Sequence, residues 1–222
     1  MTRNVIDPQA FPIDSIAGEP AVSVAQLTVS ALRQRFAQPP VWGRDPLPRE
    51  IVPSASLRRA AVLMPIVLHK NTPTLLLTLR NAQLRQHAGQ ISFPGGGVEV
   101  GDKDLIDAAL RETEEEIGVA RSQIEVLGTM PDYLTRTGFQ ITPVVGLIQA
   151  PYMSEADPTE VAEIFEVPLA FLMDGMHHQR RLMTHPTTGE HRLVYTMPYQ
   201  QYFIWGATAG MIRNLFHFLR AE

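Results

Sequence analysis

A chain of 222 residues, 45% hydrophobic and 19% charged, has the length and composition of one globular domain with extensions and a sizeable core. Its formal charge of −4 argues against sequence-independent nucleic-acid binding, which relies on Lys and Arg neutralising phosphates. No run of about 18 apolar residues is present to span a membrane, and the absence of cysteine removes disulfides, thiolate zinc sites and cysteine nucleophiles.

The opening MTRNVIDPQAFPID lacks the apolar core and cleavage site of a signal peptide, so the cytoplasm is the expected compartment. Residues 1–21, with prolines at 8, 12 and 20, read as irregular. Ser23 stands three residues before Gln26 in a capping-box pattern, and Val24, Leu27, Ala31, Leu32 and Phe36 recur at helical spacing. The proline-dense stretch 39–48 reads as a linker, with Trp42 a lid over the core or, alternatively, a stacking platform for a base. Residues 1–57 are therefore expected to form an extension, and 58–222 the main domain.

Residues 60–68 form a nearly continuous apolar run, as in a strand covered on both faces. After a turn at Asn71, Thr72 and Pro73, residues 74–80 return as the second strand of a hairpin. Arg80, Arg85 and His87 then bring positive charge just ahead of Phe93-Pro94-Gly95-Gly96-Gly97, where stiff backbone gives way to permissive backbone. Arginine suits forked phosphate recognition; the alternative is that Arg80 and Arg85 pair with nearby carboxylates.

The helix that follows has two designs. At 100° per residue Glu112, Glu115 and Glu116 share one face, while Ile106, Leu110, Thr113 and Ile117 share another. Like charges at this spacing cost about 0.2–0.5 kcal/mol per pair, and acids in a last turn oppose the helix dipole by about 0.3–1 kcal/mol each. A divalent cation reverses both signs, and hard oxygen ligands favour Mg²⁺ or Mn²⁺ over Zn²⁺. A solvated acidic helix end is the alternative.

Residues 124–130 alternate as a strand. A polar loop at 131–138 contains Tyr133 and Arg136, and the strand at 141–148 carries Pro143, which suggests an edge or a bulge. Residues 160–169 combine Glu160 and Glu163 with an apolar run ahead of a short helix, 169–173. His177, His178 and His185 fall in a segment better read as a hairpin with exposed imidazoles than as a metal site. Strand-like residues 195–202 lead to a closing helix over 206–219, with Met211, Leu215, Phe218 and Leu219 on its core face.

Arg111-Glu112-Thr113-Glu114-Glu115-Glu116-Ile117-Gly118-Val119 resembles the REUxEExGU half of the Nudix box, with Thr113 at the hydrophobic position U. Counting back from Arg111 puts Lys103 at the first acidic position; Asp102 fits with a one-residue insertion, the alignment preferred here, with Gly96 as the box glycine. The pattern through Leu76, Leu77, Thr78, Arg80, Arg85, Gly89 and Phe93-Pro94-Gly95-Gly96 looks like the additional signature of the coenzyme A pyrophosphatase branch, although Asn81 stands where that branch usually has a small residue. The combined resemblance covers about residues 60–212.

The resemblance implies a Nudix fold: α+β, an α/β/α sandwich with a mixed sheet and a catalytic loop-helix-loop. It implies that Glu112, Glu115 and Glu116, with the Gly96 carbonyl, hold Mg²⁺ or Mn²⁺, and that Arg111 orients the carboxylates. Glu115 and Arg111 then belong to the catalytic set, with Glu163 or Glu160 as a possible base and plain surface charge as the alternative for both. The implied substrate is coenzyme A or a derivative, split into 3′,5′-ADP and 4′-phosphopantetheine, with Arg80, Arg85, His87, Phe93, Tyr133 and Arg136 as its contacts and a homodimer as a possible assembly. Hydrolysis of a dinucleotide or nucleotide sugar is the alternative, followed by a non-catalytic nucleotide-sensing module.

Overall fold

In the computed structural model, residues 7–45, 57–70, 72–84, 86–135, 137–184 and 189–222 are described. Arg85, Arg136, His185 and the last three residues of the proline-rich linker lie outside them. The strands run in chain order as β1 (Ile13–Ile16), β2 (Arg58–Leu68), β3 (Pro73–Arg80), β4 (Ile91–Ser92), β5 (Gly95–Gly97), β6 (Ile124–Thr129), β7 (Tyr133–Leu134), β8 (Phe139–Gln149), β9 (Val161–Pro168), β10 (Gln179–Thr184), β11 (His191–Tyr199) and β12 (Tyr202–Trp205). The helices are α1 (Val29–Ala37), α2 (Leu105–Ile117), α3 (Leu169–Leu172) and α4 (Gly206–Arg220). Among the described residues, no helix is long and apolar enough to cross a membrane.

The apolar run in β2 is the axis of the larger, eight-stranded sheet. It lies parallel to β8 in unbroken register from Arg58↔Phe139 to Leu68↔Gln149. Its other edge is shared: β5 takes the first half, with Ala61 opposite Gly96, and β3 takes the last three residues as the expected hairpin. The side chains of β2 alternate between two cores. Ala61, Leu63 and Val67 pack with Ala108, Ala109 and Ile117 of α2, whereas Val62, Met64 and Ile66 join a cluster that includes Ile212, Leu215 and Phe216 of α4. Period-2 alternation with both faces apolar is what a doubly covered strand requires. The layers are thus helix, mixed sheet, helix, as an α+β Nudix fold has them.

Two expectations change. Pro143 lies in the middle of a central strand, not at an edge. Its carbonyl accepts from Met130 N at 2.8 Å, on the side where β7 ends at Ile141↔Tyr133 and β6 begins at Val144↔Thr129. The N–H that proline lacks is missing at this handover, where no partner strand needs it. Residues 13–16, expected to be irregular, form β1 on the outer edge of the smaller sheet, β1-β10-β11-β12. Four residues with Asp14 and Ser15 in the centre carry too little pattern to show this, and the pairing depends on β10.

The extension folds onto the domain. The capping box at Ser23 and Gln26 is present but starts a short 3₁₀ turn, and Thr28 caps α1 itself. Leu32 is buried, and Trp42 lies edge-on to Phe218 at 5.5 Å, a lid as read. The strongest link is Arg213 of α4, whose side chain is 1% exposed. It donates to Glu19 at 2.7 Å and to Asp45 at 2.7 Å, and Tyr195 Oη donates to the same Asp45 oxygen at 3.0 Å. Burial alone would raise the Glu19 pKa, but Arg213 overrides it and holds the carboxyl below its ordinary value. His178 corrects the picture of exposed imidazoles: it is fully buried, with its Nε2 2.8 Å from the Leu172 carbonyl and its Nδ1 3.0 Å from Arg213. A carbonyl can only accept and a guanidinium can only donate, so the proton sits on Nε2. Burial, helped by the Arg213 charge and opposed by the bond to the Leu172 carbonyl, brings its pKa down to about 4.

Replacing Arg213 by methionine leaves Asp45 and Glu19 without their buried counter-charge. The expected loss is about 3–5 kcal/mol in urea denaturation at pH 7; a loss below about 1 kcal/mol contradicts an anchoring role.

Candidate functional site

Gly95, with φ +151°, lies so close to β2 that a Cβ would stand 2.4 Å from the Ala61 carbonyl oxygen. At Gly96 a Cβ would stand 2.5 Å from the Glu112 carboxyl carbon, so the second glycine is a cradle for that carboxylate. α2 begins at Asp104, whose side chain accepts from Asp107 N, and ends at Gly118 in the left-handed conformation. Thr113, at a position expected to be hydrophobic, is fully buried. Its hydroxyl donates back to the Ala109 carbonyl at 2.7 Å, which satisfies the polar atom within the helix.

Arg111 holds the carboxylates in place. Its Nε and Nη2 grip both oxygens of Asp102 at 2.8 and 3.0 Å, Nη1 reaches Glu112 and Glu115 at 3.0 Å each, and Nη2 also donates to the Gly97 carbonyl at 3.2 Å. The acid that Arg111 grips ahead of the helix is Asp102, the residue that the preferred alignment puts at the first acidic position; Lys103 is exposed. The Arg111 hydrogen bonds, then the one from Glu99 N, pull the Asp102 pKa down to about 2.

Glu116 is 3% exposed. Gly95 N donates to it at 3.0 Å, and Arg80 Nη1 of β3 lies 3.5 Å away, a long ion pair. Burial outweighs both and pushes its pKa up to about 7, with Glu160 and Glu112 adding repulsion. Burial likewise raises Glu112, again with a contribution from Glu160. Arg80 meets the second reading offered for it, pairing with a carboxylate, but its Nε is buried without a partner among the described residues.

The other expected site residues divide. His87 is exposed, in a left-handed backbone conformation with Nδ1 2.9 Å from Gln90 Oε1. Tyr133 packs over Gly210 of α4. Phe93 is a correction: at 2% exposure it is core, and its side chain offers nothing to a ligand. Glu163 is another. It shares the face of β9 with Phe165, on the opposite side of the sheet from α2, and accepts a hydrogen bond from Tyr202 of β12. Glu160, the other candidate, is the one whose charge is felt at Glu112 and Glu116. A shallow concavity lined by His69, Lys70, Ala150, Pro151 and Tyr152 lies at the far end of β2 from the glycine turn and carries none of this chemistry.

All the convergent donors are oxygens, which suits a hard divalent cation. Among the described residues no three carboxylates stand at ligand spacing to one another, and Arg111 bridges Glu112 and Glu115. The fit therefore lies in donor type, in the Gly96 cradle and in the incomplete neutralisation of Glu112 and Glu116.

The NUDIX domain family matches residues 57–185, more than half of the chain. The chain belongs to the Nudix family. It is 46% identical over 171 residues to the Nudix hydrolase NudL of Pectobacterium atrosepticum, itself described as uncharacterised, covering 76% of this chain and 86% of that one. With NudL of Klebsiella pneumoniae it shares 48% over 159 residues, 71% and 81% of the two chains. A crystal structure of a C. elegans Ap4A hydrolase binary complex aligns at 20% identity and TM-score 0.43, covering 50% of this chain and 80% of that one. This Nudix chain is a hydrolase of a nucleoside diphosphate derivative, and Nudix hydrolases generally need divalent metal ions.

A buried carboxyl raised to about 7 binds its proton more tightly folded than unfolded, so its stabilising contribution is full at low pH and lost as pH rises through about 7. In chelator-treated protein the urea midpoint is expected to fall between pH 5 and pH 8, and to fall less in Glu116→Gln. Equal falls in the two proteins would show that Glu116 is not the strained group.

Proposed function

We propose that this Nudix hydrolase splits the diphosphate of coenzyme A or a derivative into 3′,5′-ADP and 4′-phosphopantetheine, using Mg²⁺ or Mn²⁺. The observation that carries the reading is the approach of Arg80 to Glu116: the signature segment and the Nudix box, more than thirty residues apart in sequence, meet at one carboxylate. The signature resembles the coenzyme A branch, and it is built into the same site as the box.

Glu112, Glu115 and Glu116 hold the cation beside Gly96. When bound, it supplies charge stabilisation at the diphosphate and activation of water. Arg111 orients the carboxylates and touches no substrate. Arg80, with its long bond to Glu116, is the guanidinium that turns to a phosphate oxygen, and exposed His87 contacts the diphosphate or the 3′-phosphate. The corresponding contacts from Arg85 and Arg136 rest on sequence alone. Glu160 takes the proton of the attacking water, the role Glu163 is turned away from.

Glu116→Gln is expected to lower coenzyme A hydrolysis at least a hundredfold or so at saturating Mg²⁺ with the fold retained; near-normal turnover would sink the metal assignment. Rates measured side by side on coenzyme A, NADH and ADP-ribose should rank coenzyme A first. If it ranks last, the substrate is another nucleoside diphosphate derivative.

A further inference from the structure

We propose that Asn81 is a positioning residue that sets the place of the Glu160 carboxylate, and that through it the substrate-signature loop and this acid of the site are held as one unit. The inference rests on the reading above, in which Glu160 serves the reaction.

Asn81 directly follows Arg80 at the end of β3, and all four of its polar backbone and side-chain groups are engaged. Its backbone N–H donates to the Glu160 carbonyl at 2.8 Å, and its side-chain Nδ2 donates to the Pro158 carbonyl at 2.7 Å. Its Oδ1 accepts from Gln83 N at 2.8 Å and its carbonyl from Leu84 N at 3.2 Å. The first pair fastens the turn that carries Glu160; the second closes the start of the loop that leads to His87. One side chain thus joins two segments nearly eighty residues apart.

The Glu160 turn is held from its other side as well. Asp157 N donates to the Glu116 carbonyl at 2.9 Å, in the last turn of α2. The Asp157 carbonyl accepts from Glu160 N at 3.1 Å and from Val161 N at 2.8 Å, and its side chain accepts from both the N–H and the hydroxyl of Thr159. Glu160 therefore stands on a turn clasped between the metal-side helix and Asn81. The small side chain that the resembling branch usually has at this position cannot reach the Pro158 carbonyl, so the clasp belongs to this chain's own asparagine. Misplacing a reacting group by about an ångström can cost a factor of a hundred in rate, so a single bond of this kind is enough to matter.

The test is a double-mutant cycle on coenzyme A with saturating Mg²⁺, comparing Asn81→Ala, Glu160→Gln and the double variant, with Asn81→Asp repeating the loss of the amide donor while keeping the acceptor for Gln83. Asn81→Ala and Asn81→Asp are expected to lower kcat about tenfold with KM within about twofold, and Asn81→Ala to cause no further loss in the Glu160→Gln background. Parental kcat in the Asn81 variants, or the same factor lost again on top of Glu160→Gln, overturns the proposal and leaves the Glu160 role standing. Parental kcat in Glu160→Gln overturns that role and, with it, this proposal.

Discussion

Arg111 is the contact on which the site depends. It lies among Asp102, Glu112 and Glu115, and its guanidinium also ties the helix face to the Gly97 carbonyl. One cation shared among three carboxylates cannot cancel them, and Glu116 and Glu160 stand nearby without a share of it. Burial is the main cause of the raised pKa values of Glu112 and Glu116, and the uncancelled charge of their neighbours adds to it. Each like-charge pair on the helix costs only about 0.2–0.5 kcal/mol, yet burial of Glu116 makes its charge far more expensive than any surface pair. In the proposed function a divalent cation would relieve the largest of these costs and would offer its charge to a diphosphate.

The scaffold makes this arrangement possible by bringing backbone close. β2 pairs with β5 along the glycines, so Gly95 N can donate to Glu116 and Gly96 can lie against Glu112. Side chains at either position would collide with β2 or with the carboxylate. On the far face of the sheet, Arg213 fastens Glu19 and Asp45 of the N-terminal segment to α4. The described part of the extension is thus bound to the domain by buried charge as well as by apolar packing of Leu32, Phe36 and Trp42. Functional charge and anchoring charge occupy opposite sides of one sheet.

The periodic features were legible in the sequence because they follow from local geometry. The doubly apolar run of β2, the hairpin to β3, the two faces of α2 and the core face of α4 all depend on spacing alone. The insertion at Asp102 was legible because Asp102 is the acid nearest the position counted back from Arg111. What failed depended on register or tertiary contact. Glu160 and Glu163 cannot be told apart by spacing, since the register shift opposite Leu79 and Arg80 decides which acid leaves the sheet toward α2. Phe93 belongs to a segment whose glycines approach the site while its own ring turns into the core. His178 is buried because Arg213, 35 residues away, meets its Nδ1. Nothing near any of these residues in sequence carries that information.

The central claim is that this carboxylate and guanidinium arrangement serves attack of water on a diphosphate. Its most direct test is product analysis by mass spectrometry after coenzyme A is incubated with the protein and Mg²⁺ in ¹⁸O-labelled water. The account predicts 3′,5′-ADP and 4′-phosphopantetheine, with one ¹⁸O incorporated into one of the two and none into the other. Intact coenzyme A, or loss of the 3′-phosphate with the diphosphate bond unbroken, would contradict it.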